Sequence, residues 1–199
     1  MGKRQSLRER FEESYTAVPV PARNKKGYTM KYVYYAPWYY WDLPRGRLQR
    51  EKVLLIGCSL LSLAVFLLAG VQDIVANSWK AVYLPCVLAL CAHILELFGL
   101  VQFCTARYPT TQITYQDVER MMEFAPIARA ICTGLAGLIC LIGSIASGFS
   151  PLVAAVAALF FVCAAAPVFE LHRYRKIPVR REKNTTLETM DQAMQIREE

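Results

Sequence analysis

His93 and Glu96 stand three residues apart inside a run that is otherwise apolar, Ala81 to Cys104, AVYLPCVLALCAHILELFGLVQFC. On a helix that spacing puts both side chains on one face. Counted at 1.5 Å per residue from Cys104, Glu96 lies roughly 12 Å into the run. A carboxylate at such a depth in hydrocarbon costs several kcal/mol (~3) unless it is paired, neutralised or wetted. Three chemistries answer that cost. The pair is a proton or cation relay along a polar seam, with the imidazole able to titrate near neutral pH. Alternatively it is a packing network, with Glu96 bonded to His93 or met by Arg129 from the next helix. The third reading, a metal pair, falls short of the usual ligand number, because no second histidine or carboxylate lies nearby in the apolar runs. The packing network is preferred, and neither a metal nor a cofactor is expected.

Other candidate groups are weaker. Glu170 and His172 follow the last apolar run, where Arg173, three residues on, is the natural partner of Glu170. Ser59, Ser62, Ser144 and Ser147 have no His and Asp arrangement around them, and the chain has no H-E-x-x-H or glycine-rich phosphate loop. No catalytic residue is assigned, and no enzyme is expected. The seven cysteines, Cys58, Cys86, Cys91, Cys104, Cys132, Cys140 and Cys163, all lie in apolar runs without a C-x-x-C pair, so they read as small packing residues.

The elements that must position His93 and Glu96 are long apolar helices. The 199 residues are 55% apolar and sorted into blocks. About 20 apolar residues suffice to cross a bilayer. Four spans follow, at about 53–72, 81–104, 130–147 and 152–169, arranged as two helical hairpins. The fold class expected is an all-α membrane protein with short interfacial amphipathic helices. Residues 1–52 form a basic and aromatic arm, 53–176 the transmembrane domain and 177–199 a tail. The net charge of +7 sits at the flanks of the apolar blocks, which points to topology and away from nucleic acid. Twelve Lys and Arg precede the first span, one lies between spans one and two, three between two and three, none between three and four, and seven after. The positive-inside rule then puts both termini and the middle connection in the cytoplasm, in the cell membrane. No cleavable signal peptide is expected, since the charged start is followed by no early apolar core. Met1, Gly2 and Ser6 fit the N-myristoylation pattern, a loose match that adds little to a chain with four spans.

Two stretches suggest contacts. Cys132, Ala136, Cys140, Ser144 and Gly148 recur every four residues as a stripe of small side chains, which lets helices approach closely, within the bundle or between subunits. Gly27 to Trp41 carries eight aromatics, among them Tyr34, Tyr35, Trp38, Tyr39, Tyr40 and Trp41. These read as an interfacial aromatic belt before the basic Arg45, Arg47, Arg50 and Lys52, and secondarily as a recognition surface. Ser6 to Glu9 fits a capping box for a short helix reaching about Tyr15. Thr114 to Ala125 reads as an interfacial helix or as a bent forward extension of the third span with Pro126 at the break. Thr185 to Glu188 starts a surface helix carrying Leu187, Met190 and Met194, and Asn184-Thr-Thr186 is a sequon expected to face the cytoplasm. A two-by-two repeat is hinted at by Arg107-Tyr-Pro109 beside Arg175-Lys-Ile-Pro178. The partners expected are the bilayer and other membrane subunits, or a second copy of the chain. The function expected is that of a non-catalytic subunit or accessory of a membrane complex, with a small transporter or proton conductor using His93 and Glu96 as the alternative.

Overall fold

A computed structural model describes residues 6–21, 27–73, 75–146 and 150–186. Gly148 of the small-residue stripe, and Leu187, Met190 and Met194 of the tail helix, lie outside them. In chain order the elements are α1 (Leu7–Glu12), β1 (Tyr15–Pro21), β2 (Tyr28–Tyr34), β3 (Trp38–Trp41), α2 (Arg45–Val71), α3 (Val75–Ser78), α4 (Lys80–Thr105), α5 (Gln112–Ala146), α6 (Pro151–Arg175) and β4 (Val179–Glu182). The chain is mostly helical. Four helices, α2, α4, α5 and α6, are long and apolar enough to cross a membrane. The expectation of an all-α chain is corrected by four strands in two antiparallel ribbons.

The chain divides into two compact units. One gathers the segment up to Trp41, Arg107–Gln116 and the segment from Val179. Ser6 caps α1 as a full capping box, its Oγ accepting the Glu9 N–H while Glu9 accepts the Ser6 N–H. That helix stops at Glu12, and β1 begins at Tyr15, because Val18-Pro-Val-Pro21 favours extended backbone. β1 pairs with β2 from Tyr15↔Tyr34 to Pro21↔Tyr28. β3 pairs with β4 from Trp38↔Glu182 to Trp41↔Val179, and Tyr39 exchanges backbone hydrogen bonds with Thr110. The N-terminal arm, the middle connection and the tail are therefore hydrogen-bonded together.

The aromatic arm is folded on itself. Tyr34 packs on Trp38 and edge-on to Tyr15, Tyr39 stacks on Tyr115 with ring centroids 4.5 Å apart, Tyr40 meets Tyr108 edge-on, and Trp41 is buried. Tyr35 is exposed, its hydroxyl donating to the Glu12 carbonyl. The β propensity of Tyr and Trp explains the strands, and cross-strand ring contacts hold them. Asn184 donates to the Tyr34 carbonyl and accepts from both the N–H and the hydroxyl of Thr186, so the sequon asparagine closes a local turn.

The other unit, Asp42–Ala106 with Asp117–Pro178, is the helical bundle. Its buried positions recur at spacings of three, four or seven residues: Leu48, Leu55, Ser59, Ser62 and Ala69 on α2, and Val156, Phe160, Cys163, Pro167, Glu170 and Tyr174 on α6. Such spacings keep the buried side chains on one face of each helix. The core joins Ala69, Ala76, Val82, Ala136, Cys140, Val156, Ala157 and Phe160. The stripe residues Ala136, Cys140 and Ser144 point into this unit, with Cys132 half-buried. A side chain at Gly137 would come within 3.2 Å of the Ala157 carbonyl and Phe160 Cβ, which is how closely α5 and α6 approach. The outward faces carry Leu60, Leu61, Leu67, Leu84, Phe98, Ile131, Ile142 and Val162. An apolar exterior around a core holding charged groups suits lipid as the surrounding medium.

α5 is one helix of 35 residues. Of the two sequence readings for Thr114–Ala125, the forward extension is observed, but it runs through Pro126 without ending there. Thr111 caps its start, the Oγ1 accepting the Thr114 N–H. Two other helices also overrun their expected limits, α2 starting at Arg45 and α6 reaching Arg175.

Candidate functional site

The bundle holds one cluster of buried ionisable groups to which α4, α5 and α6 each contribute charge. His93 and Glu96 project from α4, Arg129 from α5 and Glu170 from α6; they are 3%, 0%, 2% and 0% exposed. Ser59 of α2 completes it. Each occupies or flanks a seam position of its helix, so helical periodicity alone turns them inward.

Arg129 is the hub. Its Nη2 donates to Glu170 Oε1 at 3.1 Å, its Nη1 to His93 Nδ1 at 2.5 Å, and its Nε lies 3.1 Å from Glu96 Oε2. The last pair is close but poorly aligned, so Glu96 is held by charge and not by a directed hydrogen bond. A guanidinium only donates, so His93 Nδ1 must accept, and the imidazole is the neutral Nε2–H tautomer. That leaves Nε2–H to donate to Ser59 Oγ, 3.4 Å away. Thr133 turns its hydroxyl back onto the Arg129 carbonyl at 2.8 Å and fixes the helix at the hub.

The formal charges do not cancel. One guanidinium faces two carboxyl groups, and both Glu96 oxygens and Glu170 Oε2 lack a hydrogen-bond donor. Beside the cluster is a cavity of about 10 Å³ lined by Ser62, Phe66, Ala89, His93, Arg129, Thr133 and Cys163. That is the lower limit for a single water. Among the described residues no three His, Cys, Asp or Glu side chains converge as a metal site.

The sequence candidates His93 and Glu96 are therefore in one cluster, joined through Arg129 and not directly. One expected pairing needs correction: Glu170 pairs with Arg129, not with Arg173, which instead grips Glu51 through Nε and Nη2. Arg129 meets Glu96 from the next helix, lying well inside α5 because that helix starts 18 residues before the expected span of about 130–147. Ser59 and Thr133 were not singled out as partners. The signal for Glu170 was present: Val156, Phe160, Cys163 and Pro167 step by four and three residues, and the next step lands on 170. No family model matches this chain, and no curated protein or solved structure matches it.

Proposed function

We propose that this chain is a small multi-pass membrane protein of the cell membrane with no catalytic set, which works through contacts as a subunit or accessory of a larger membrane complex. Both termini and the middle connection lie on the cytoplasmic side in this reading, as the distribution of Lys and Arg requires. The observation that carries the non-catalytic role is the closure of the Arg129 cluster. Its charged groups face one another around Arg129, and the adjoining cavity of about 10 Å³ has room for one water and no larger ligand. Contacts with other proteins are then left to exposed surfaces, of which the Tyr28, Met30 and Tyr32 face of β2 is the most apolar in the non-bundle unit. The test is the size and composition of the native particle in mild detergent. A stoichiometric partner that dissociates when Met30 and Tyr32 become Ser supports this role. A homogeneous monomer at native expression refutes it.

A second reading, proton or cation conduction, draws on the donorless oxygens of Glu96 and Glu170. Glu96→Gln should then abolish flux into liposomes while helical content is kept. Unchanged flux removes Glu96 from any pathway.

A further inference from the structure

α2 begins and α6 ends at the same end of the bundle, where Glu51 and Arg173 pair. Here a cavity of about 330 Å³ is walled by Arg47, Arg50, Glu51, Arg173 and Lys176. That volume is at the small end of ligand sites and suits a single polar group. Glu51 and Arg173 neutralise each other in a two-pronged pair, Nε to Oε2 at 3.2 Å and Nη2 to Oε1 at 2.5 Å. Among the described residues no ion pair engages Arg47, Arg50 or Lys176. Three cations thus face a cavity whose only carboxylate is already used. Phosphate is the matching chemistry, since guanidinium groups meet its oxygens two at a time.

A second feature narrows the ligand. Arg50 also belongs to an open face of α2 with Gly46, Gln49, Val53 and Leu54. Val53 and Leu54 are exposed, and Gly46 offers no side chain there, with nothing within 4 Å of where its Cβ would be. A basic cavity bordered by an exposed apolar helix face calls for a ligand with an anionic head and a greasy tail. A free anion would use only the first part, and a neutral lipid only the second.

We propose that this end of α2 and α6 is a binding site for an anionic phospholipid, with its phosphate among Arg47, Arg50 and Lys176 and an acyl chain along Gly46, Val53 and Leu54. Basic pockets between spans at the cytoplasmic face are suited to such head groups, and that leaflet supplies them. The inference rests on the bilayer reading, whose own failure would show separately as recovery without detergent.

The test uses the full chain, stripped of lipid in detergent and titrated with dioleoylphosphatidylglycerol, dioleoylphosphatidylcholine or inorganic phosphate, with adducts counted by native mass spectrometry. Phosphatidylglycerol should bind at least about tenfold more tightly than phosphatidylcholine, and the double variant Arg47→Gln, Arg50→Gln should weaken it roughly 20-fold. Gly46→Leu, which places a bulky side chain on the face where the acyl chain would lie, should weaken phosphatidylglycerol and leave phosphate binding as it was. All three positions are exposed, so far-UV circular dichroism should match the parent. Equal affinity for the two lipids overturns the proposal, as does phosphatidylglycerol binding that survives the double variant. Phosphate binding as tight as phosphatidylglycerol, together with an inert Gly46→Leu, would leave an anion site only and overturn the lipid assignment.

Discussion

Arg129→Leu is the perturbation that the bundle should tolerate least. The substitution keeps an apolar side chain in the seam, so packing volume changes modestly, but it strands Glu96 and Glu170 and leaves His93 Nδ1 without its donor. Removing one partner of a buried ion pair costs about 3–5 kcal/mol in proteins generally. In a bilayer the unfolded reference finds partial substitutes for lost polar contacts, so the lower end, roughly 3 kcal/mol, is expected here. The distinctive part is the rescue. Adding Glu96→Gln and Glu170→Gln removes the stranded charges and should recover about half of the loss, because a neutral cluster needs no counter-ion. The assay is unfolding in mixed detergent followed by far-UV circular dichroism, with single, double and triple variants on one curve. A shift under about 1 kcal/mol for Arg129→Leu, or a triple variant no more stable than the single, would refute the view that charge balance organises these helices.

Other expectations are more local. Cys140→Leu overpacks a fully buried position beside Val156 and Phe160 and should lower stability by roughly 1–3 kcal/mol on the same curve. Arg180→Pro removes the backbone donor that β4 turns toward Tyr40 and should expose the tail to limited proteolysis while the bundle remains protected. Tyr34 donates to the Pro37 carbonyl at 2.5 Å and accepts the Gln112 N–H at 2.8 Å; burial raises its phenol above the ordinary 10.0, with that N–H pulling the other way. Its protonated form is the one folding favours, so its contribution is complete below pH 10.0 and is lost as pH rises through the higher folded value. Near-UV circular dichroism with phenolate absorbance at alkaline pH checks this, and Tyr34→Phe should remove that limb.

The helices were legible because apolar runs of such length have one physical use, and the centres of all four were read from composition. Their ends were not, since Arg45 to Lys52 and Glu170 to Arg175 are polar residues carried on helices begun or continued by the apolar part. The same error hid Glu170. His93 and Glu96 stand out against an apolar background, and Arg129 follows as a partner for Glu96 from the next helix, whereas Glu170 sits where polar residues are already expected. Only the seam period, carried past the apolar boundary, distinguishes a group turned inward from one turned to water. The ribbons escaped for another reason: Trp38–Trp41 finds its partner in Val179–Glu182, and no local pattern announces a pairing between such distant segments.

That pairing also orders events during synthesis. Every apolar helix lies between β3 and β4, so the strand near the start must wait for this partner until the last apolar helix and Val179–Glu182 have been made. Closure of the second ribbon is thus a latch that engages only after all four apolar helices. A product truncated anywhere before Val179 leaves Trp38, Tyr39, Tyr40 and Trp41 without their strand partners. Quality control could read that sticky edge as the mark of an unfinished molecule.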